Sequence, residues 1–127
     1  MNLALVFELN EMHMPRYVIL QHDWNGMHYD LMLEQVEVLK TWRLASPIQA
    51  GRQEAILLPD HRLEYLIYEG PISRDRGKVS RVAEGNYEAT LVTEQCWKIE
   101  LQGTLKGSIT LQQEAADHWQ LEWQPLL

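Results

Sequence analysis

The sequence predicts an all-β domain, a single antiparallel β-barrel, closed or nearly closed, with at most one or two short helices. Three observations predict it. Sustained helical periodicity is scarce, and short runs of strand-forming residues recur along the whole chain. Glycines at positions 26, 51, 70, 77, 85, 103 and 107 fall mainly between those runs, where turns need them. With 127 residues, 46% of them hydrophobic, the chain can bury one sizeable core and reads as one domain over 1–127 without linker or repeat.

In order, the predicted strands are "RYVILQHD", "HYDLMLEQ", "EVLKTWRL", "EAILLP", "EYLIYEG", "GKVSRVA", "YEATLVTE", "CWKIELQG", "LKGSITLQQ" and "HWQLEWQ". The last runs form an antiparallel meander, with Trp119, Leu121 and Trp123 alternating against Gln120, Glu122 and Gln124 as on a half-buried strand. Helical turns are expected near the N-terminus or in "QQEAAD". Trp42 and Trp97 are expected in the core.

Composition narrows the function. A net charge of −7 argues against broad coating of nucleic acid. Yet "RDRGKVSR" gathers Arg74, Arg76, Lys78 and Arg81, either as a solvated turn and edge strand or as a local phosphate-contacting patch. The single Cys96 excludes an internal disulfide framework and a multi-cysteine zinc site, and reads as a small buried residue rather than a nucleophile. The opening "MNLALVFELNEMHMPRY" has no basic region before its apolar run, and Glu8 interrupts that run. It is too short to span a bilayer, so the expectation is a soluble cytoplasmic protein with no membrane association.

The segment "QHDWNGMHYDLMLE" carries the chemistry. On a strand, His28, Asp30, Met32 and Glu34 share one face, while Met27, Tyr29, Leu31 and Leu33 take the other and pack into a core. "DWNG" is a turn that returns the chain and brings His22 opposite the His28/Asp30 face. Two imidazoles and one carboxylate make an open metal site with positions left for water and substrate. Surface histidines at strand ends give the same spacing by chance. A second constellation lies in "DHRLEY", where the spacing puts His61 and Tyr65 on one face if the segment is extended. An imidazole and a phenol suit an oxyanion and its leaving group. Trp24, in the turn between the histidines, is placed either to stack on a base or to close the barrel mouth. His118 reads as a surface strand residue.

Read together, "RYVILQHDWNGMHYDLMLE", "LKTW", "DHRLEY", "YEGPIS" and "LQGTLKGSITL…WQLEW" resemble the 3′-phosphoesterase domain of bacterial DNA ligase D, which also occurs as stand-alone proteins. The resemblance runs from about Pro15 to Trp123. It implies a β-barrel that removes 3′-terminal phosphates and ribonucleosides from DNA ends, in DNA end processing and repair. It also implies a divalent metal, usually Mn2+ (Zn2+ or another divalent ion being alternatives), on His22, His28 and Asp30. The catalytic set it implies is these three with His61 and Tyr65, the last two lining the phosphate pocket. The partners are nucleic-acid 3′ ends and a ligase or polymerase supplied in trans.

The chain departs from that pattern at several positions. Met32 stands where the family has an arginine, on the face of His28 and Asp30, and a methionine cannot stabilise phosphoryl charge. Arg43, Arg52 and the arginines of "SRDRGKVSR" are candidate replacements, with Arg52 the expected phosphate-binding one because the family has an arginine one position away, where Gln53 stands here. Ser46 stands where the family has a lysine. The family's N-terminal arm has only Glu8, Glu11 and His13 as counterparts. Two other readings stay open. One is a catalytically weakened module that binds phosphate or nucleic-acid ends. The other is a non-haem iron oxygenase, whose usual order of ligands differs from the one here.

Overall fold

The computed structural model describes residues 14–126, so the N-terminal helical turn and Glu8, Glu11 and His13 lie outside the described residues. The strands are β1 (Arg16–Asp23), β2 (Met27–Glu34), β3 (Val38–Leu44), β4 (Gly51–Arg62), β5 (Gly70–Pro71), β6 (Lys78–Val92), β7 (Cys96–Gly103), β8 (Gly107–Ala115) and β9 (His118–Pro125). Every recorded pairing is antiparallel. The sheet runs β1-β2-β3-β4-β9-β8-β7-β6-β5, and a further β1–β6 pairing closes it into a barrel. Closure removes the exposed edges that would otherwise pair with other chains.

The inside of the barrel is the main core. Tyr17, Ile19, Leu31, Leu33, Trp42, Leu44, Ile99, Leu101, Ile109, Leu111 and Leu121 point into it, with Trp97, Trp119 and Trp123. Trp42 meets Trp97 and Trp119 edge-on, with ring centroids 5.6 and 5.5 Å apart. These are the inward residues that strand alternation selects.

The outer faces of β1, β2 and β3 are buried as well. Val18, Leu20, Met32, Leu39 and Val79 form a second apolar cluster with Leu66, and Leu63, Tyr65 and Ile72 pack against it. The cover is the excursion between β4 and β6. It begins with one 3-10 turn, Leu63–Leu66, then runs through β5 to the loop before Lys78. This corrects the expectation that "EYLIYEG" is a strand. Its apolar residues serve the outside of the barrel, and Ile67 and Tyr68 stay exposed. The turn also lies here rather than in "QQEAAD", which completes β8 and turns into β9. "GKVSRVA" and "YEATLVTE" belong to one strand, β6, which passes through Gly85 without a turn. A Cβ at Gly85 would stand 1.8 Å from the Gln102 carbonyl oxygen, so this glycine allows β6 and β7 to approach closely. Among the described residues no helix is long and apolar enough to cross a membrane.

Candidate functional site

The site lies on the outer wall of the barrel, under the β4–β6 excursion. The β1–β2 hairpin turns through Trp24, Asn25 and Gly26, with Asn25 at φ 53° and Gly26 at φ 107°. Asn-Gly tolerates such backbone better than other pairs and is a strong hairpin signal. The register sets His22 directly opposite His28 and Leu20 opposite Asp30. On the next strand Asp30 lies opposite Arg43.

That last pairing builds the centre. Arg43 donates from Nε to Asp30 Oδ1 at 2.8 Å and from Nη2 to Asp30 Oδ2 at 3.0 Å, a bidentate fork. The same Nη2 lies 3.1 Å from His22 Nδ1. The other His22 nitrogen, Nε2, lies 2.8 Å from the Arg76 carbonyl oxygen. A carbonyl only accepts, so Nε2 carries the proton and Nδ1 presents its lone pair toward Arg43 and Asp30. Asp30 is 1% exposed, so its charge depends on this partner. The Asp30 hydrogen bond raises the Arg43 pKa above its ordinary value, against the lowering effect of burial, and the Asp30 charge adds to the rise.

The Arg76 carbonyl is held in place by the loop before β6. Arg74 and Asp75 sit at φ 62° and 55°, and Gly77 at φ 76°. A Cβ on Gly77 would fall 1.9 Å from the Asp23 carbonyl oxygen, so glycine there lets the loop lie on the end of β1. Ile72 N–H donates to the Gly77 carbonyl at 2.8 Å and closes the loop. Arg76 reaches back to Ser73, donating to its carbonyl and hydroxyl at 2.9 and 3.1 Å. Arg81 is instead paired with Glu69 and Glu84. Of the basic cluster, then, Arg76 serves this site.

His61 and Tyr65 complete it. They come together at the junction of β4 and the 3-10 turn, with ring centroids 5.9 Å apart and edge-on. His61 Nδ1 lies 2.9 Å from the Pro59 carbonyl oxygen and donates to it, which leaves Nε2 available to a ligand. Their proximity comes from the turn bringing Tyr65 back over the sheet, and not from strand alternation. The resulting cavity, about 160 Å³, is lined by His22, Asp30, Arg43, His61, Tyr65 and Arg76, with Trp24 at its edge and Met32, Ile72 and Val79 beneath. This volume suits a phosphoryl group rather than a whole nucleotide, since drug-sized ligands take about 300–1,000 Å³. Trp24 stacks on His22, with centroids 5.8 Å apart and planes at 23°.

Two predicted residues stand apart from the cavity. His28 faces the same side as His22 by register but does not line it, and its Nδ1 is buried without a hydrogen-bond partner. Arg52 is exposed and paired with Glu122 at 2.9 Å, lining a different depression on β4, β8 and β9. The arginine against the His22/Asp30 pair is therefore Arg43, in place of the expected Arg52. The alternation of Trp42 and Leu44 carried the signal for it: if those two point inward, Arg43 shares the face of Asp30. Gln53 and Ser46, which stand where the family has arginine and lysine, hydrogen-bond to each other at 3.3 Å.

The fold and the site together define a barrel whose outer wall carries an anion-sized cavity of imidazole, carboxylate, phenol and guanidinium groups. The chain matches the family described as the DNA ligase D 3′-phosphoesterase domain over residues 20–121, and it belongs to that family. No curated protein matches the chain.

Among the described residues, no group of three His, Cys, Asp or Glu side chains stands together in ligating geometry. His22 Nδ1 and Asp30 Oδ2 lie 4.0 Å apart with the guanidinium against both. In kind the residues fit: the His22 tautomer leaves a lone pair for a cation, and the orphaned His28 Nδ1 is a buried donor atom in want of a partner.

Proposed function

We propose that this protein is a metal-dependent phosphoesterase that removes 3′-terminal phosphates, or 3′-ribonucleosides, from DNA ends. The observation that carries the reading is the meeting of His22, Asp30, Arg43, His61 and Tyr65 in one phosphoryl-sized cavity of a chain from this family. His22, Asp30 and His28 would hold the divalent ion, Mn2+ in the first instance. When bound, it supplies charge that polarises a phosphoryl oxygen and orients water.

The protein's own groups divide the remaining work. His61 faces the phosphoryl group through Nε2, and once protonated it donates a hydrogen bond or passes its proton to the leaving oxygen. The Tyr65 hydroxyl donates to a phosphate oxygen. Arg76, and Arg43 once its guanidinium is released from Asp30 and His22, would offset the negative charge that Met32 cannot meet. Trp24 offers an indole at the cavity edge for the terminal base, where stacking contributes about 1–3 kcal/mol. With a net charge of −7, the protein would hold DNA weakly by itself, which favours a ligase or polymerase acting with it in trans.

The test is incubation with Mn2+ and a 3′-phosphorylated oligonucleotide beside a His28→Ala control. Metal-dependent release of phosphate by the wild type alone supports the reading, and equal release by both proteins sinks it. Met32, buried in the cavity wall, favours a second reading in which 3′ ends are bound without turnover. Salt-sensitive binding of the oligonucleotide with no release would select it.

A further inference from the structure

We propose that Arg43 is a built-in counter-cation at the candidate metal position, so that a divalent ion binds only by displacing its guanidinium. The inference rests on the metal-binding reading above and concerns what opposes that binding.

The two donors that converge are His22 Nδ1 and Asp30 Oδ2, 4.0 Å apart, about twice the length of a metal–nitrogen or metal–oxygen bond. Arg43 Nη2 caps this pair at 3.1 and 3.0 Å. It therefore points its hydrogens at the two atoms a bridging cation would use, and the two positive groups cannot share them. The fork is not an accident of a flexible surface side chain. Asp30 and Arg43 are directly opposed in the β2–β3 register, Nε is committed to Asp30 Oδ1 at 2.8 Å, and the carboxylate is almost fully buried. A buried, ionised carboxylate is costly without a cationic partner. Arg43 meets that need without metal, and a bound ion would take it over.

The place of the arginine in the chain explains why this arrangement arises here. An arginine at position 32 would rise from the same strand as His28 and Asp30, two residues beyond the carboxylate. Met32 leaves that space apolar, packed with Val18, Leu20 and Leu39. The guanidinium comes instead from β3, directly across from Asp30, where the register aims it at the carboxylate. The orphaned His28 Nδ1 agrees with a third donor that is not recruited while Arg43 holds the other two.

The test is a Mn2+ titration read by the electron paramagnetic resonance of the free ion, which needs no turnover. Wild type, Arg43→Gln, Arg43→Lys and His28→Ala are compared. Arg43→Gln is expected to bind Mn2+ at least tenfold more tightly than wild type, with Arg43→Lys between them. Equal or weaker binding by Arg43→Gln overturns the proposal while leaving the metal reading intact. If no variant binds Mn2+, the metal reading falls and the proposal with it. Should Arg43→Gln fail to fold for want of a partner to Asp30, Arg43→Lys keeps a positive charge there. Its affinity must then exceed that of wild type, and an affinity at or below wild type overturns the proposal.

Discussion

Gly77→Ala separates the two reasons a glycine can be needed, and it acts directly on the site. Gly77 has φ +76°, where an L residue costs about 1–2 kcal/mol. The added Cβ would also lie 1.9 Å from the Asp23 carbonyl oxygen and 2.8 Å from Trp24 Cβ. No side-chain rotation relieves a clash with backbone, so the loop must lift from β1, a shift worth about a further 1–3 kcal/mol. The total is about 2–5 kcal/mol. Gly26 is the control: it has φ +107°, and nothing within 4 Å would meet its Cβ. Gly26→Ala should therefore cost only the backbone term, about 1–2 kcal/mol. Urea unfolding of both variants measures the difference, which at roughly 3–5 °C per kcal/mol also shows in Tm. Lifting the loop withdraws the Arg76 carbonyl from the His22 Nε2–H while Arg43 still donates toward Nδ1, so 15N imidazole spectra of Gly77→Ala should show the Nε2 resonance shifting with the loss of its acceptor and the tautomer kept. Equal destabilisation by the two substitutions, with an unshifted His22 Nε2 resonance, would count against the loop seating described here.

Two further predictions concern residues away from the cavity. Tyr87 donates to the Glu34 carbonyl at 2.7 Å, and its pKa is pushed up from 10.0 to about 12, first by burial and then by the Glu34 charge. Below pH 10 both folded and unfolded chains hold this proton; from there to about pH 12 the folded chain alone holds it. The stabilisation present below pH 10 is thus lost as pH rises through about 12, to the extent of about 2–3 kcal/mol. Urea unfolding at pH 8 and pH 11 should show about half of that fall, roughly 1.4 kcal/mol, in wild type and a smaller one in Tyr87→Phe, and equal falls count against it. Arg52→Ala removes an exposed ion pair with Glu122 and should change stability by less than about 1 kcal/mol and leave phosphate release unaltered. A large loss of turnover in that variant would return Arg52 to the site.

Much of this arrangement was legible in the chain. "CWKIELQG" coincides with β7 through its alternation, and "RYVILQHD" with β1 as a run of strand-forming residues bounded by a turn. The Asn-Gly turn fixed the hairpin, and with it the face shared by His22, His28 and Asp30. What escaped was the second buried layer. "YVIL" in β1 and "LML" in β2 are apolar without alternation, the mark of strands covered on both faces. The cover itself could not be read, because Leu63, Tyr65 and Ile72 look like strand residues until the chain folds back over the barrel. Arg43 was one of several arginines open to choice, since which one opposes Asp30 depends on the register across the β2–β3 turn. Strand spacing puts His61 and Tyr65 on one face, whereas in the structure a 3-10 turn brings their rings together.

If the cavity around Asp30 is where a 3′-phosphate is released, Asp30→Asn removes the charge on which that release depends. Asparagine keeps the shape and one acceptor oxygen for Arg43 while the charge and the second acceptor are lost, so the unfolding midpoint of the variant is measured beside its rate. The measurement is the initial rate of phosphate release from a 3′-phosphorylated oligonucleotide with Mn2+, beside wild type and Arg52→Ala. The account predicts a loss of about 100-fold or more for Asp30→Asn, on the scale of removing one group that stabilises a transition state, and none for Arg52→Ala. Release by Asp30→Asn at the wild-type rate would contradict it.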